Sequence, residues 1–411
     1  MNTRPTSPEL DDFMASRSKR ADPYPMFHQL QGAGPTYYSP LRAWLITRYA
    51  DVMALLRSPS VSSMRSMPGL RAIDVSKPSP ARIFARNDEL AMLNRDPPEH
   101  TRVRRLVSRA FSASVVSGKR DEIRQIAEDL LAPHLARGGM ELVHDFAYPL
   151  PLTVIASLLG VPDRDRERFR RWSTELTGRF GVKPQRAPAA RRAGNQAMTE
   201  LTGYFRDLVD QRRRHSGEDL ISRLVTATDG GEHLTEEELV ANCVLLLNAG
   251  YETTANLIGN GIFALLRHTG TLRRLYSDRA LVATAVDELL RYDSSVQLTP
   301  RTATADVVID EVTIPAGSRL LLMLGAANRD GERFADPDDL DIARKDNHHL
   351  AFGWGIHYCL GASLARLEIE MALDTLLARC ANLRLATEQV MWKDHFSLRG
   401  LEALPVRWDP A

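Results

Sequence analysis

A mainly helical fold with a minor antiparallel β part is predicted, on three observations. Apolar residues recur at helical spacing through most of the chain, most continuously over 234–268 and again after Gly361. Strand-like runs are short and gather chiefly in 306–324 and 395–408, where Val and Ile alternate with turn residues such as Asp310 and Gly400. The composition is that of a globular chain with material for a large core: 411 residues, 44% hydrophobic and 26% charged.

Taken in order, residues 1–22 read as a flexible N-terminal segment, and length alone would suggest two or three domains. A short helix follows Pro25 in 22–31, and 43–56 reads as a strand running into a helix with Asp51 as its N-cap. Residues 57–93, rich in Ser, Pro, Met and Arg, show no period and read as a long irregular segment. The stretch 96–111 starts on two prolines and becomes helical, with His100 and Arg104 four apart on one face. That pair suits either a solvated basic surface or an anion clamp; Arg102, Arg105 and Arg109 spread over other faces. Helical stretches at 119–137 and 148–161 flank ELVHDFAY, and the charged run 163–172 reads as a solvated helix face. The prolines of 181–192 break the pattern before a helix at 195–214, so two helices joined by a breaker form either a movable lid or a plain surface hairpin.

The stretch 234–268 is the longest helical pattern, opened by a capping box of Thr235 and Glu238. Asn242, Asn248, Glu252, Asn256 and Asn260 argue against a membrane span, which leaves a central buried helix. Its middle, Ala249-Gly250-Tyr251-Glu252-Thr253-Thr254, sets an acid and two hydroxyls behind two small residues. Buried polar groups are costly unless satisfied, so this is a satisfied kink or a proton-delivery groove. Glu288 and Arg291 lie three apart on the helix of 285–293. Beyond it, Phe352-Gly353-x-Gly355-x-His357-x-Cys359-x-Gly361 places a cysteine in a glycine-rich turn directly before a helix. Unpaired N–H groups and the helix dipole stabilise a thiolate there, and a thiolate ligates soft metal centres.

Net charge is +1 with a pI near 7.8, so no general attraction to nucleic acid is expected. Cys243, Cys359 and Cys380 form no Cys-x-x-Cys pair, which argues against a disulfide framework or zinc ribbon and fits a reducing cytoplasm. The polar N-terminus lacks the apolar core of a signal peptide, and no run of about 18 apolar residues suggests a membrane anchor.

The cysteine loop resembles the haem-binding signature of the cytochromes P450. Ala249–Thr253 resembles that family's oxygen-binding motif, and His100-x-x-x-Arg104 and Glu288-x-x-Arg291 stand in family-like order, so the likeness spans about residues 20 to 408. The resemblance implies a single P450 domain over 23–411 holding haem b, its iron ligated by the Cys359 thiolate. His100, Arg104, Arg301 and His357 would pair with the haem propionates, Ala249 and Gly250 would face the haem, and Phe352 and Gly361 belong to the cofactor loop. Glu252 and Thr253 would be the acid–alcohol pair that handles protons. Glu288 and Arg291, joined by Arg344, would support the fold. Pocket candidates are Ile83, Phe84, Leu245, Asn248, Gln297, Ser397 and Leu398, with the amides of Asn248 and Gln297 either binding polar groups of a substrate or satisfying nearby backbone.

The activity so implied is insertion of one oxygen atom from O2 into a C–H bond of a hydrophobic small molecule carrying some polar groups. A secondary-metabolite tailoring hydroxylase acting on a macrolide, terpenoid, steroid-like molecule or peptide fits. Epoxidation, aryl coupling and peroxide-driven oxidation are alternative outcomes. A non-catalytic haem sensor or ligand-binding protein is a further reading, against which the Glu252–Thr253 pair argues. A ferredoxin and its reductase would supply electrons to a cytoplasmic monomer; Arg102, Arg105, Arg109 and Arg366 suit either docking of an acidic ferredoxin or ordinary solvation.

Overall fold

The computed structural model describes residues 8–64, 79–111, 113–178 and 187–410. The chain forms two compact units, one built from residues 1–62, 124–147 and 253–411, the other from 63–123 and 148–252. The helix Glu236–Arg267 gives its first half to the second unit and its second half to the first.

The first unit carries the sheets. Its five-stranded sheet runs in the order Thr36–Tyr38, Ala43–Ile46, Arg319–Leu322, Thr299–Ala303, Val61–Ser62. One pair departs from the expected antiparallel pattern: Ala43–Ile46 lies parallel to Arg319–Leu322, with Ala43 opposite Arg319 and Ile46 opposite Leu322. Both strands bury apolar side chains on both faces, as parallel pairs do, and the long chain between them supplies the crossover. Trp44, Ile46, Leu320 and Leu322 enter one core with Val52 and Phe334, while Leu45 and Leu321 enter another with Phe27 and Leu30. The predicted hairpin is present as Val307–Ile309 against Val312–Ile314, its turn using Asp310 at φ 52°.

Residues 8–21 differ from the flexible segment expected over 1–22. They form the helices Pro8–Ala15 and Arg17–Ala21, and Leu10 and Phe13, three apart on one face, are buried with Phe27 and Leu30. The helix Tyr49–Arg57 starts after Arg48 rather than on Asp51. A distant side chain supplies its cap, since the Tyr49 N–H donates to Asp330 Oδ2 at 2.7 Å. Asp51 sits instead in the first turn.

The second unit is helical. Within the stretch expected to be irregular, Pro80–Leu90 is a helix, with Ser79 accepting from the Arg82 N–H at 3.3 Å and Pro80 in the first turn; residues 65–78 lie outside the described ones. The helix expected over 195–214 already begins at Ala187, because Pro188 is tolerated in a first turn and the alanines after it favour helix. Of the expected breaker, 181–186 lies outside the described residues. Arg166–Gly178 packs on Ala187–Arg214 through edge-on rings of Phe169, Trp172, Tyr204 and Phe205. The capping box forms as expected: the Glu238 N–H donates to Thr235 Oγ1 at 3.2 Å and the Thr235 N–H to Glu238 Oε2 at 3.0 Å. No helix among the described residues is long and apolar enough to cross a membrane.

Candidate functional site

In the first unit the cysteine loop folds back on itself. The Cys359 N–H donates to the Phe352 carbonyl at 2.9 Å, and the Tyr358 N–H to the Gly355 carbonyl at 3.1 Å. Gly353 and Gly355 adopt φ of 68° and 71°. At Gly355 a side chain is excluded twice over, because a Cβ would lie 2.6 Å from the Leu56 carbonyl oxygen. A Cβ on Gly353 or Gly361 would meet nothing within 4 Å, so the backbone there faces open space. The helix Ala362–Arg379 starts just after Gly361, which puts Cys359 at its N-terminus. Cys243 and Cys380 are buried, and burial pushes both thiols up, Cys380 to about 12. They are inert by position, whereas Cys359 is half-buried. Among the described residues no three or more His, Cys, Asp or Glu side chains cluster to hold a metal.

A buried network holds the chain that leads into this loop. Arg291 and Glu288, both fully buried, pair through two bonds of 2.8 and 2.9 Å. Arg291 also donates to the carbonyls of Asn328, Pro337 and Asp339 at 2.9, 2.7 and 3.0 Å. Arg344 reaches Glu288 at 3.2 Å, and Asn347 Nδ2 donates to it at 3.1 Å. Asn328 Oδ1 in turn accepts from the Leu350 N–H at 2.6 Å, two residues before Phe352. The Arg366 guanidinium donates to Asp287 at 2.8 Å and lies over the Phe352 ring at 4.6 Å. Arg301 is buried on its strand, donating to Thr299 Oγ1 and the Pro300 carbonyl at 2.8 Å each, and His357 is half-buried beside the cysteine.

The long helix is buried along most of its length, but Leu245, Asn248 and Thr253 are half-buried and Ala249 is exposed. Those positions fall three, four and eight residues after Leu245, so they form one open face in an otherwise enclosed helix. Gly250 allows close approach on another side, where a Cβ would stand 3.4 Å from Ile155. Glu252 is buried; burial raises its carboxyl above the ordinary range, and a hydrogen bond from Thr177 partly offsets this. The Asn248 amide accepts from Ser173 Oγ at 2.9 Å. Phe84 is buried and Ile83 half-buried on the helix Pro80–Leu90. His100 is buried on its helix, and its pKa is lowered by burial and then by Arg104 beside it, against a smaller raising effect of Asp96. Two basic groups that repel each other in a buried setting suit an anion.

Residues 74–399 match the Cytochrome P450 family. Cytochrome P450 107B1 of Saccharopolyspora erythraea is 42% identical over 374 residues, 89% of each chain. Cytochrome P450 monooxygenase PikC of Streptomyces venezuelae is 40% identical over 99% of this chain and 96% of its own. The structure of P450BioI in complex with hexadec-9Z-enoic acid ligated Acyl Carrier Protein matches with a TM-score of 0.88 and 37% identity, covering 96% of this chain and 100% of that one. The chain belongs to the cytochrome P450 family. It is a P450 monooxygenase, and its cofactor is thiolate-ligated haem.

The residues of the cysteine loop fit that cofactor. A thiolate-held haem needs a cysteine with room beside it, and Cys359 would supply that thiolate from a loop whose Gly353 and Gly361 face open space. The arginines considered for ferredoxin docking are all engaged: Arg102 with Glu238, Arg105 and Arg109 with Asp229, Arg366 with Asp287.

The C-terminal segment is tied to the long helix by residues that sequence reasoning used only to exclude a membrane. Asn256 Oδ1 accepts from Lys393 Nζ at 3.1 Å, and its side chain fills the space where a Cβ on Gly400 would stand. Asn260 Nδ2 donates to the Arg399 carbonyl at 3.1 Å. Burial lowers the Lys393 ammonium to about 8. The segment so held carries Ser397 and Leu398; the Gln297 N–H donates to the Ser397 carbonyl at 2.8 Å, and Leu398 bridges to Val296. Gln297 Nε2 donates to the Ser294 carbonyl at 2.6 Å, and its amide lies against Gly325. The signal for Asn256 and Asn260 was present: two amides four apart in an apolar helix must find partners.

Proposed function

We propose that this P450 inserts one atom of O2 into a C–H bond of a hydrophobic small molecule bearing a few polar groups, as a tailoring hydroxylase of secondary metabolism. The observation that carries the reading is Glu252, a buried acid whose carboxyl is raised by burial, next to Thr253 on the open face of the long helix. Burial makes the Glu252 carboxyl hold its proton more tightly than an ordinary carboxyl does, which suits a group that carries a proton to where it is consumed, and a passive haem binder has no use for one.

Cys359 would hold the iron, and His100, Arg104, Arg301 and His357 would neutralise the two haem carboxylates, which need cations when buried. When bound, the haem supplies reductive activation of O2. The chain's own residues do the rest. Thr253 and Glu252 would orient water and pass protons, and Ala249, exposed on the open face, would leave room for the haem, whereas Gly250 faces Ile155 instead. Leu245, Asn248, Ile83, Phe84, Gln297, Ser397 and Leu398 would shape the substrate's surroundings. Asn248 and Gln297 already spend part of their hydrogen bonding on Ser173 and Ser294, so apolar contact dominates recognition. Electrons would come from a ferredoxin and its reductase.

The test has two stages. Dithionite reduction under carbon monoxide should give a Soret band shifted far to the red, lost in Cys359→Ser. Substrates found by spin-state titration should then yield products carrying one ¹⁸O atom from ¹⁸O2. Unlabelled products, or a red-shifted band that survives Cys359→Ser, would overturn the reading.

A further inference from the structure

The proton role of Glu252 raises the question of what holds that acid in place. The helix Arg166–Gly178 meets the long helix along matched polar positions. Ser173 Oγ donates to Asn248 Oδ1 at 2.9 Å. Four residues later on both helices, the Thr177 hydroxyl donates to the Glu252 carboxyl. Positions i and i+4 lie one above the other on a helix, so these are two rungs of one ladder. Ser173 is buried, and Thr177 occupies the last turn of its helix. The ladder lies within one compact unit. Behind it, Tyr251 packs against Tyr148 with tilted rings whose centroids lie 5.4 Å apart, and Gly250 rests on Ile155, which hold the long helix from its other sides.

We propose that Thr177 is a positioning residue for the monooxygenase reaction: through the Ser173–Asn248 and Thr177–Glu252 rungs, the helix Arg166–Gly178 fixes the placement and protonation of the proton-delivering acid. This rests on the proton role given to Glu252 above.

The chemistry of the rung matters. A hydroxyl is a neutral donor. It stabilises the carboxylate enough for the acid to give up its proton, without a full positive charge that would keep it permanently ionised. The charged and titratable neighbours stand one step away. Tyr251 feels Glu252 directly, and Arg170 and Glu167, on the same helix as Thr177, act on Tyr251 and pair with each other at 2.9 Å. Asn248 gains a second role here, as the first rung.

The experiment follows the Glu252 carboxyl by infrared difference spectroscopy of the ferric holoenzyme across pH, with the band assigned by its loss in Glu252→Gln. Thr177→Val keeps the shape of the side chain and removes the donor. The carboxyl midpoint should then move up by about one pH unit. The pH profile of coupling, product formed per O2 consumed, should move in the same direction. Thr177→Ser restores the donor and should return both to the parent values. Ser173→Ala should shift both the same way but less. An unmoved midpoint and an unmoved coupling profile in Thr177→Val, with Glu252→Gln still uncoupled, would overturn the role of Thr177 alone. Unchanged coupling in Glu252→Gln would overturn the proton role of the acid itself.

Discussion

Replacing Arg291 tests what the buried ion-pair network does for the cysteine loop. Both members of the pair are fully buried, and their two bonds measure 2.8 and 2.9 Å. Removing one partner of such a pair costs about 3–5 kcal/mol, because the other is left charged without water. Arg291 also satisfies three backbone carbonyls, those of Asn328, Pro337 and Asp339. Each orphaned carbonyl adds about 1 kcal/mol or more. Set against a total stability of about 5–15 kcal/mol, Arg291→Ala should not accumulate as folded protein. Arg291→Lys keeps the charge but not the planar fork that reaches a carboxylate and three carbonyls at once, and should lose about 3 kcal/mol. Arg344→Ala is the control. Its side chain is 11% exposed, and without it Glu288 keeps Arg291, the Asn347 amide at 3.1 Å and the Asp341 N–H at 2.9 Å. The expected loss is about 1–2 kcal/mol. Urea unfolding of the haem-loaded variants, followed both by far-ultraviolet circular dichroism and by Soret absorbance, gives the values. If Arg344→Ala loses as much as Arg291→Lys, or Arg291→Lys stays within about 0.5 kcal/mol of the parent, the reasoning from burial and bond count fails.

Two further outcomes are expected. Burial and Arg104 lower the His100 pKa, which favours the neutral imidazole before haem binds, and a haem carboxylate beside it would raise that pKa. Haem binding should then take up a proton between the two pKa values, so affinity strengthens as pH falls through that window; calorimetry in buffers of different ionisation enthalpy measures the uptake, and His100→Asn should abolish it. Gly361→Ala, at φ −86° with open space around the new methyl, should leave the unfolding midpoint of the apoprotein unchanged while weakening haem uptake, whereas Gly355→Ala, blocked by the Leu56 carbonyl, should lower both.

The features legible in the sequence are those whose partners lie close along the chain. The Thr235–Glu238 capping box, the Glu288–Arg291 pair, the hairpin at 307–314 and the glycine turn before Cys359 all act over a few residues. Arg344 is an informative exception, legible only because the family resemblance pointed to the segment after the pair. The rest depended on distant chain. Asp51 was the natural N-cap by type, yet Asp330, far along the sequence, caps that helix. The helix Pro80–Leu90 had its cap and first-turn proline in plain view, but the Met- and Ser-rich composition before it masked the signal. Leu10 and Phe13 looked like isolated apolar residues in a polar tail until Phe27 and Leu30 gave them a core to join. The four arginines considered for docking carry charge that spacing alone could not show to be neutralised by Asp229, Glu238 and Asp287.

The same limit explains why the acid and its neighbouring amide invite different roles once their partners are known. Glu252 and Asn248 stand in one stretch of one helix, and from spacing alone both could face a substrate. What separates them is the helix Arg166–Gly178, whose Ser173 takes up the Asn248 carbonyl oxygen and whose Thr177 reaches Glu252. Had an arginine or lysine stood at 177, the acid would be held ionised at neutral pH, and a carboxylate gives no proton. A purely apolar residue there would leave burial unopposed and the proton held more tightly. A hydroxyl lies between these extremes. On the proposal above, Thr177, on a helix that contributes no residue to the family's signature motifs, would be tied to the proton role given to Glu252.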